Sequence, residues 1–472
     1  MKLEYKFENK NLCILLLISI FLIFFQILNE EMSKIVFIIQ LPLIFIYLLT
    51  TFKNQKDNFL ILLFLICNIV FLYGKVYIKI IKNEKLIGMF FNKCIFSTET
   101  FLEMIKVCNY NLLGITLGIF LYKFYSIHFK KNKESTNIDI SNNMFYIFLI
   151  LGIISITLAY NLSKIVNING YLSLFNNTAK QNFGYLKNSI LFLSSNFFVA
   201  LFFILLSDIK KIKSKKYYIV IFILFFIFRF CENLSGGRGR TIGCLLFILW
   251  YSFKFLNLKI NLFKLMVIGF LSISLCFYFS SRRNIKNKEN FRIIRIEKIF
   301  DFLDEQGGSL SLLGYYIDNK EKLDIESRPM ICSFILGGPE KILCKLTKQN
   351  YNPRESFYNG ERISSVINPH LYQSGFGTGG NYLVEMYDLG RKTGVILWTT
   401  LLIFFMYYIQ EQFIYMTLLK RMFVLYYIYS IFLLPRAHYL AIGITGSIFL
   451  IVVYLIIIFT RYLKQKFNGR VL

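Results

Sequence analysis

The sequence predicts an all-α polytopic membrane protein, with about 12 transmembrane helices and one large extracytoplasmic loop between the ninth and the tenth. Hydrophobic residues make up 56% of the 472 residues, and the mean hydropathy is +0.54. Single runs such as 265–279 carry no charge over a bilayer-scale length. These runs are too long and too uniformly apolar for porin strands, and in lipid a backbone must satisfy its own hydrogen bonds. Helices are therefore the membrane-spanning structure that the chain supports.

The apolar runs fall into two groups, one on each side of the loop. The first group is predicted near 12–28, 34–51, 59–74, 108–127, 144–161, 188–207, 217–234, 241–256 and 262–280. The second group is predicted near 393–409, 413–434 and 439–460. No small-residue cleavage site follows the first run, and another span begins almost at once, which favours a retained helix over a signal peptide.

This pattern predicts three regions: helices 1 to 9 in 1–281, the loop in 282–380 and helices 10 to 12 in 381–472. Within the loop, 291–308 has a helical period of apolar residues, and Gly and Pro accumulate from 326 to 380, which favours an irregular but structured cap. The predicted apolar side of that helix comprises Ile293, Ile296, Phe300 and Leu303, and the opposite side carries Asp301 and Glu305, with Asp304 nearer its edge.

The formal net charge of +27 is distributed along the chain in a way that indicates membrane topology rather than binding of nucleic acid. Lysines and arginines cluster in alternate connections and near the C-terminus, which places both termini in the cytoplasm by the positive-inside rule. Segment 75–107 is the exception, because this topology puts it outside although it contains Lys75, Lys79 and Lys106.

Cysteine spacing gives no sign of zinc or redox chemistry. Cys332 and Cys344 share the outer loop, where they are either a disulfide or two free thiols. We find no acidic pair for a metal-bound nucleotide sugar, no phosphate-binding loop and no serine elbow in the sequence, so neither a cofactor nor a metal is expected.

Arginines at several short outer junctions are the candidate anion-binding residues. They are Arg238 and Arg240 in SGGRGR, Arg282 and Arg283 after the ninth predicted helix, and Arg436 in LPRAHYL. Guanidinium groups bind phosphate oxygens in a bidentate manner, and glycines allow backbone N–H groups to approach the same anion. The alternative is that each arginine only reaches towards lipid phosphates at the membrane surface.

Two residues near the loop's end are candidate catalytic groups. His370 is one of three histidines and could serve as a general base, although a lone loop histidine is more often solvated or packed. Glu385 stands among apolar neighbours just before the tenth predicted helix, where it is either a functional carboxylate or a structural acid at the start of a helix.

The layout of the whole chain resembles the Wzy-type O-antigen and oligosaccharide-repeat-unit polymerases of bacteria. SGGRGR at 235–240, FLDEQGGSL at 302–310 and GFGTGGNYLVEMYDLGRKTG at 375–394 carry this resemblance. It implies a membrane glycosyltransferase with a fold like that of the C-type enzymes, in the cytoplasmic membrane among its lipids, acting on polyprenyl-diphosphate-linked oligosaccharide. It also implies that Arg238, Arg240 and Arg436 contact the diphosphate, and it makes a chain-length regulator protein a candidate partner.

Two other functions stay open from the sequence. An O-antigen ligase shares this architecture and usually has a loop histidine. A flippase or transporter for lipid-linked sugars would place ionisable residues deep in several spans, whereas Arg229 is the main such residue here.

Overall fold

The chain is almost entirely helical in the computed structural model, which describes residues 2–88, 94–128, 142–174, 178–208, 215–235, 239–281, 296–325, 328–347, 349–373, 377–438 and 443–468. No strand occurs in these ranges, and an isolated antiparallel bridge joins Ile87 and Ile95. The all-α class predicted from the sequence is confirmed.

The helices before the loop are α1 Lys2–Leu28, α2 Met32–Thr51, α3 Asn58–Asn68, α4 Gly74–Lys82, α5 Thr98–His128, α6 Asn142–Asn169, α7 Thr178–Phe183, α8 Tyr185–Ser207, α9 Lys215–Asn233, α10 Gly239–Lys254 and α11 Leu262–Ser281. A π-helical turn, Ile69–Tyr73, joins α3 to α4, so that the three form one continuous helical segment.

The later helices are α12 Ile296–Gln306, α13 Ser311–Asp318, α14 Lys320–Leu323, α15 Gly338–Leu346, α16 Asn359–Ile367, α17 Pro369–Gln373, α18 Tyr382–Gln412, α19 Leu418–Ile431 and α20 Ile444–Asn468. Short helices connected by turns thus make up the described part of 296–373, where the density of Gly and Pro predicted an irregular but structured segment.

Eight helices in the described part of the chain are long and apolar enough to cross a membrane. They are Lys10–Leu28, Met32–Thr51, Asn58–Lys82, Thr98–Ser126, Asn143–Asn169, Tyr185–Ser207, Tyr382–Tyr415 and Thr445–Leu463. A shorter apolar helix covers Phe263–Cys276. The chain is therefore a multi-pass membrane protein, and the predicted total of about 12 spans stays a prediction.

The tenth predicted span begins earlier than expected, because α18 starts at Tyr382 rather than near 393. The charges before 393 suggested a loop, but the helix includes them and kinks at Gly390 and Arg391, where φ is +53° at Arg391. Asp388 accepts hydrogen bonds from the Tyr316 hydroxyl (2.8 Å) and a backbone N–H (2.7 Å), and Arg391 is bonded to Asp324. Partnered charges of this kind can be carried on a helix.

The chain forms two compact units, each built from three segments. The first unit contains Met1–Asn132, Ile293–Glu411 and Ile431–Ala441, and the second contains Lys133–Arg292, Gln412–Ser430 and Ile442–Leu472. The predicted division at 281 and 380 stays a prediction.

The core of the first unit contains α3, on which every residue from Phe59 to Leu65 is fully buried. Glycines on α5 bring α18 close to it, since a Cβ at Gly114 would lie 2.7 Å from Thr399 and one at Gly118 would lie 2.6 Å from Ile403. Small residues at such contacts are how membrane helices approach each other.

The amphipathic helix predicted at 291–308 is observed over Ile296–Gln306 as α12, where Leu303 of its predicted apolar side is half-buried and Phe300 is not buried. Phe302 is 2% exposed, whereas Phe300, placed on the buried side by the sequence, is 41% exposed. Asp301 and Glu305 are exposed, as expected. The residues before 296, including Ile293, lie outside the described ranges.

The lysines that conflicted with the charge rule are held by acidic groups within the first unit. Lys79 lies 2.7 Å from Glu84 and 3.6 Å from Asp304, and the buried Lys75 lies 3.8 Å from Asp304. Because the charge rule counts lysines and arginines and not net charge, segment 75–107 stays an exception to the predicted topology.

A fully buried arginine, Arg362, holds turns of the loop together within the first unit. The guanidinium of Arg362 donates to the carbonyl oxygens of Ser356 (2.7 Å), Leu323 (3.1 Å) and Arg328 (2.6 Å). Because these acceptors are main-chain atoms of separate turns, one side chain holds three connections of the loop together. Cys332 and Cys344 are free thiols.

Candidate functional site

A buried carboxylate at the start of α18 is the centre of the candidate site in the first unit. Glu385 has no exposed surface, and one of its oxygens, Oε1, accepts hydrogen bonds from the Ser333 hydroxyl at 3.1 Å and the Asn359 amide at 3.2 Å. The same oxygen lies 2.8 Å from Nδ1 of His438. Burying a carboxylate is unfavourable unless it is well bonded, so these contacts are what permits Glu385 at this position.

The imidazole of His438 is held between the carboxylate and an aromatic ring. The ring of Tyr358 lies 4.6 Å from that of His438, centroid to centroid. The His438 side chain is 25% exposed, so the pair is reachable from outside although Glu385 is not. Burial raises the pKa of Tyr358, and the charges of Glu361 and Glu385 add to this effect. The phenol of Tyr358 therefore stays neutral next to the imidazole.

Two asparagines set the position of Glu385 by bonding the starts of α16 and α18 to each other. The Asn359 amide donates to the Asn381 carbonyl oxygen at 2.8 Å, and the Asn381 N–H points to Asn359 Oδ1 at 3.3 Å. Asn381 Oδ1 also accepts from the backbone N–H of Leu383 at 2.9 Å, as a helix cap does. Its amide donates to the Ser309 carbonyl oxygen at 2.9 Å.

The glycines before α18 allow the backbones of the site to approach closely. A Cβ at Gly360 would lie 1.7 Å from the Gly379 carbonyl oxygen, and one at Gly380 would lie 2.8 Å from the backbone of Ala437. Gly379 has φ of +76°, a conformation that favours glycine. The Gly380 N–H is bonded to the Arg436 carbonyl oxygen at 3.3 Å. The segment carrying Arg436 and His438 is thereby held against the start of α18.

Arg436 lies two residues before His438 and is half-buried. Its Nη1 donates to Gln306 Oε1 at 3.3 Å, and its guanidinium lies 5.4 Å from the ring centroid of Phe71. Gln306 belongs to the FLDEQGGSL stretch. Gly307, which follows it, packs so closely on Lys75 that an added Cβ would lie 2.4 Å from that side chain. This stretch therefore supports the guanidinium from a fixed backbone.

His370 occupies an exposed position on α17, so the histidine that contacts Glu385 is His438 rather than the one singled out from the sequence. Arg238, Arg282 and Arg283 lie outside the described residues. Of the predicted site residues, the structure brings Glu385 and Arg436 into one neighbourhood of the first unit.

Arg240 lies in the second unit and takes part in a separate cluster. Its side chain is 62% exposed, and its Nη1 lies 3.1 Å from Oε1 of Glu232. The other oxygen of Glu232 lies 2.5 Å from Nη1 of Arg229. The chain from 236 to 238, including the remaining part of SGGRGR, is outside the described ranges. Thr241 accepts from Asn233 at 2.7 Å and donates to the Arg229 carbonyl oxygen at 2.9 Å.

A comparison with protein families decides the identity of the chain. The model of the family described as O-antigen polysaccharide polymerase Wzy matches residues 10–466, nearly the whole chain. The chain belongs to the Wzy O-antigen polysaccharide polymerase family. No curated protein and no solved structure gives a significant match.

The arrangement of Glu385, His438 and Arg436 is one that can transfer a proton near a positive charge. A carboxylate that orients an imidazole is a recurrent general-base arrangement, and a neighbouring guanidinium can neutralise an anionic leaving group. Among the described residues, no group of three or more His, Cys, Asp or Glu side chains could hold a metal ion.

His438, Gln306, Ser333 and Asn359 are site residues that the sequence did not single out. His438 lies in LPRAHYL two residues after Arg436, and its partner Glu385 is 53 positions away along the chain. Serine, asparagine and glutamine carry little signal in one sequence, since such residues are common in loops.

Proposed function

We propose that this protein polymerises oligosaccharide repeat units carried on polyprenyl diphosphate, on the outer face of the bacterial cytoplasmic membrane, with both termini in the cytoplasm. Membership of the Wzy family supports polymerisation of polysaccharide. The chemical proposal rests on the contact of 2.8 Å between Oε1 of Glu385 and Nδ1 of His438. His438 lies in the segment that also carries Arg436.

In the proposed reaction, a sugar hydroxyl of one lipid-linked unit attacks the anomeric carbon of another. The new glycosidic C–O bond forms as the bond from that carbon to the diphosphate breaks, with inversion at the carbon. With Glu385 as an acceptor, Nδ1 of His438 carries the proton and donates it, which leaves the lone pair of Nε2 to take the proton of the attacking hydroxyl. Glu385 is then a positioning residue, and His438 is the base.

Arg436 is proposed to neutralise the departing diphosphate. Its guanidinium is held by Gln306 and Phe71 before any substrate arrives, so little reorganisation accompanies the development of charge. Arg238, Arg240, Arg282 and Arg283 remain proposed as further diphosphate contacts. The diphosphate bond supplies the driving force, so the proposed step uses neither a nucleotide nor a metal.

His438 is preferred to His370 as the base for a geometric reason. A carboxylate in contact with Nδ1 fixes the tautomer and the plane of the imidazole, as general-base catalysis requires. His370, at an exposed position on α17, is the alternative base. The variants His438→Gln and His370→Gln compare the two histidines directly.

Glycan length in a deletion strain tests polymerisation against ligation. Loss of a polymerase leaves single repeat units on the acceptor, and complementation with the intact gene restores long chains. Accumulation of long polymer on the lipid carrier would instead identify a ligase. A strain with single repeat units retained on the inner side of the membrane would identify a flippase.

A further inference from the structure

A short helix of the loop, α15, carries an exposed apolar stripe that neither the fold nor the candidate site accounts for. Leu343 is 58% exposed and Leu346 is 74% exposed, and Pro339 on the same helix is also exposed. These positions follow the spacing i, i+4 and i+7, which places them on one side of a helix. Leu336, in the π-helical turn just before α15, is 43% exposed. Large apolar side chains that are exposed together indicate a surface that contacts an apolar partner.

The charges on α18 show where this helix leaves the hydrocarbon core of the membrane. It carries no charged residue between Lys392 and Glu411, a stretch within the roughly 17–25 residues that cross a bilayer. Within that stretch Leu397, Leu401 and Phe405 are exposed, as side chains that face lipid are. Lys392 therefore marks the boundary between the hydrocarbon core and the headgroups on the side of the candidate site.

The loop segment that precedes α15 is bonded to α18 just outside this boundary. The Met330 N–H donates to Asp388 at 2.7 Å, and the Ser333 hydroxyl donates to Glu385 at 3.1 Å. At 1.5 Å per residue, Asp388 lies within roughly 6 Å of Lys392 along the helix, which is the depth of the headgroup layer. The π-helical turn that begins at Ser333 leads directly into α15, and all of these residues belong to the first unit. The exposed stripe thus begins at the depth of the headgroups.

The charge of this segment distinguishes a lipid surface from a second copy of the chain. Residues 336–348 contain three lysines and one glutamate, and that glutamate, Glu340, is paired with Arg328. In a symmetric dimer the same surface of both copies meets, so two positive segments would be opposed, which is unfavourable. A bilayer that contains anionic lipids attracts the same segment and offers acyl chains to the leucines. The charge therefore favours the membrane.

We propose that α15 is an interfacial membrane anchor of the loop. In this arrangement Leu336, Leu343 and Leu346 are buried at the boundary between headgroups and acyl chains, and the net positive charge of the segment is attracted by anionic headgroups. The anchor does not depend on the reaction that the protein catalyses, since it follows from exposure, charge and contacts with α18.

The anchor is connected to the candidate site through a single aromatic ring. Gly337, the last residue before α15, packs so closely on Tyr358 that an added Cβ would lie 2.7 Å from its ring. The ring of Tyr358 in turn lies 4.6 Å from that of His438, centroid to centroid. By holding Gly337 at the membrane surface, α15 keeps His438 at the depth of the lipid headgroups.

A tryptophan placed in the stripe reports contact with lipid. Leu346→Trp is reconstituted in liposomes that contain phosphatidylglycerol, with or without bromine on the acyl chains, and the signal of the two native tryptophans is subtracted by means of the wild-type protein. The added tryptophan should lose most of its fluorescence in the brominated liposomes, because bromine quenches on contact. Arg354→Trp, at another exposed position of the loop, should keep its fluorescence. Equal fluorescence of Leu346→Trp in both liposomes, or equal quenching of both variants, would overturn the proposal.

Hydrogen exchange tests the anchor without an added aromatic residue. Because Leu346 is exposed, Leu346→Gln removes little packing within the fold, and the variant should fold as the wild type does. In liposomes, the backbone amides of α15 should exchange roughly tenfold faster in this variant, as expected when one leucine no longer enters the membrane. The amides of α16 serve as the internal reference and should not change. Unchanged exchange in α15 would contradict the anchor.

Nanodiscs that hold one copy of the protein separate the membrane from a second chain. Protection of the α15 amides should be the same in these nanodiscs as in liposomes, because lipid surrounds the protein in both. Protection that disappears when one copy is isolated would identify another copy as the partner and overturn the proposal.

Discussion

Replacing Glu385 by glutamine removes the carboxylate that contacts His438 while it preserves the size of a fully buried side chain. All three partners contact one oxygen, Oε1, so the amide oxygen of glutamine in that position can still accept from Ser333, Asn359 and Nδ1 of His438. The amide carries no negative charge, however, and it stabilises the positive charge that develops on His438 during proton uptake less well than a carboxylate does. The variant therefore removes the charge next to the base while the hydrogen-bond acceptor is preserved.

The size of the effect follows from the contacts. A hydrogen bond to a charged group contributes about 1.5–3 kcal/mol, which corresponds to roughly 10- to 100-fold in rate for Glu385→Gln. Removing the base itself in His438→Gln should cost about 10²- to 10⁴-fold. Because Glu385 acts through His438, the double variant should be no slower than His438→Gln alone.

The assay is the initial rate of polymer formation by purified protein, with thermal stability of each variant measured alongside. His370→Gln is the matched comparison, since it makes the same substitution at the exposed histidine of α17. A loss of activity in His370→Gln as large as that in His438→Gln would refute the assignment of the base. Independent, multiplicative losses in the Glu385 and His438 variants would refute the coupling between them.

Three further predictions concern the fold. Gly360→Ala should prevent the cap from assembling, because its Cβ would lie 1.7 Å from the Gly379 carbonyl oxygen. Gly377→Ala should be tolerated, because no atom of the described residues lies within 4 Å of its Cβ position. Limited proteolysis of the loop distinguishes the two variants, and equal resistance would contradict the packing. Arg362→Met leaves three buried carbonyl groups without their donor and should cost about 3 kcal/mol or more, measured as a lower Tm in detergent, and an unchanged Tm would contradict it. A reporter that is active only in the cytoplasm should be active when it is fused after α20, because the C-terminus is predicted to be cytoplasmic. Activity only of a reporter that works outside the cytoplasm would contradict the predicted topology.

The helical class and the positions of most spans could be predicted from the sequence because hydrophobicity over a bilayer-scale length is a local property. The start of α18 could not, since it depends on Asp324 and Tyr316 partnering charges from a distant part of the chain. Phe300 on α12 was wrongly assigned to the buried side for a related reason. A short helix in a cap is packed on several sides, so its burial follows from neighbours rather than from its own periodicity.

Glu385 and Arg436 could be chosen from the sequence because charged residues among apolar neighbours are conspicuous. His438 could not be connected with Glu385, because they are 53 positions apart and meet only through the glycine contacts between Gly380 and Ala437. The ion pairs of Glu232 with Arg229 and Arg240 could not be predicted either, since the two arginines lie on different helices. Long-range contacts of this kind leave no spacing pattern in one sequence.

Polymer formation by the purified protein is the direct test of the proposed function. Purified protein is reconstituted in liposomes with lipid-linked repeat units, and the products are separated by length while released polyprenyl diphosphate is quantified. We expect a ladder of lipid-linked polymers, with one polyprenyl diphosphate released for each new bond and both products formed about 10²-fold or more slowly by His438→Gln. Repeat units that cross the bilayer without being joined, or a ladder formed at the wild-type rate by His438→Gln, would contradict the proposal.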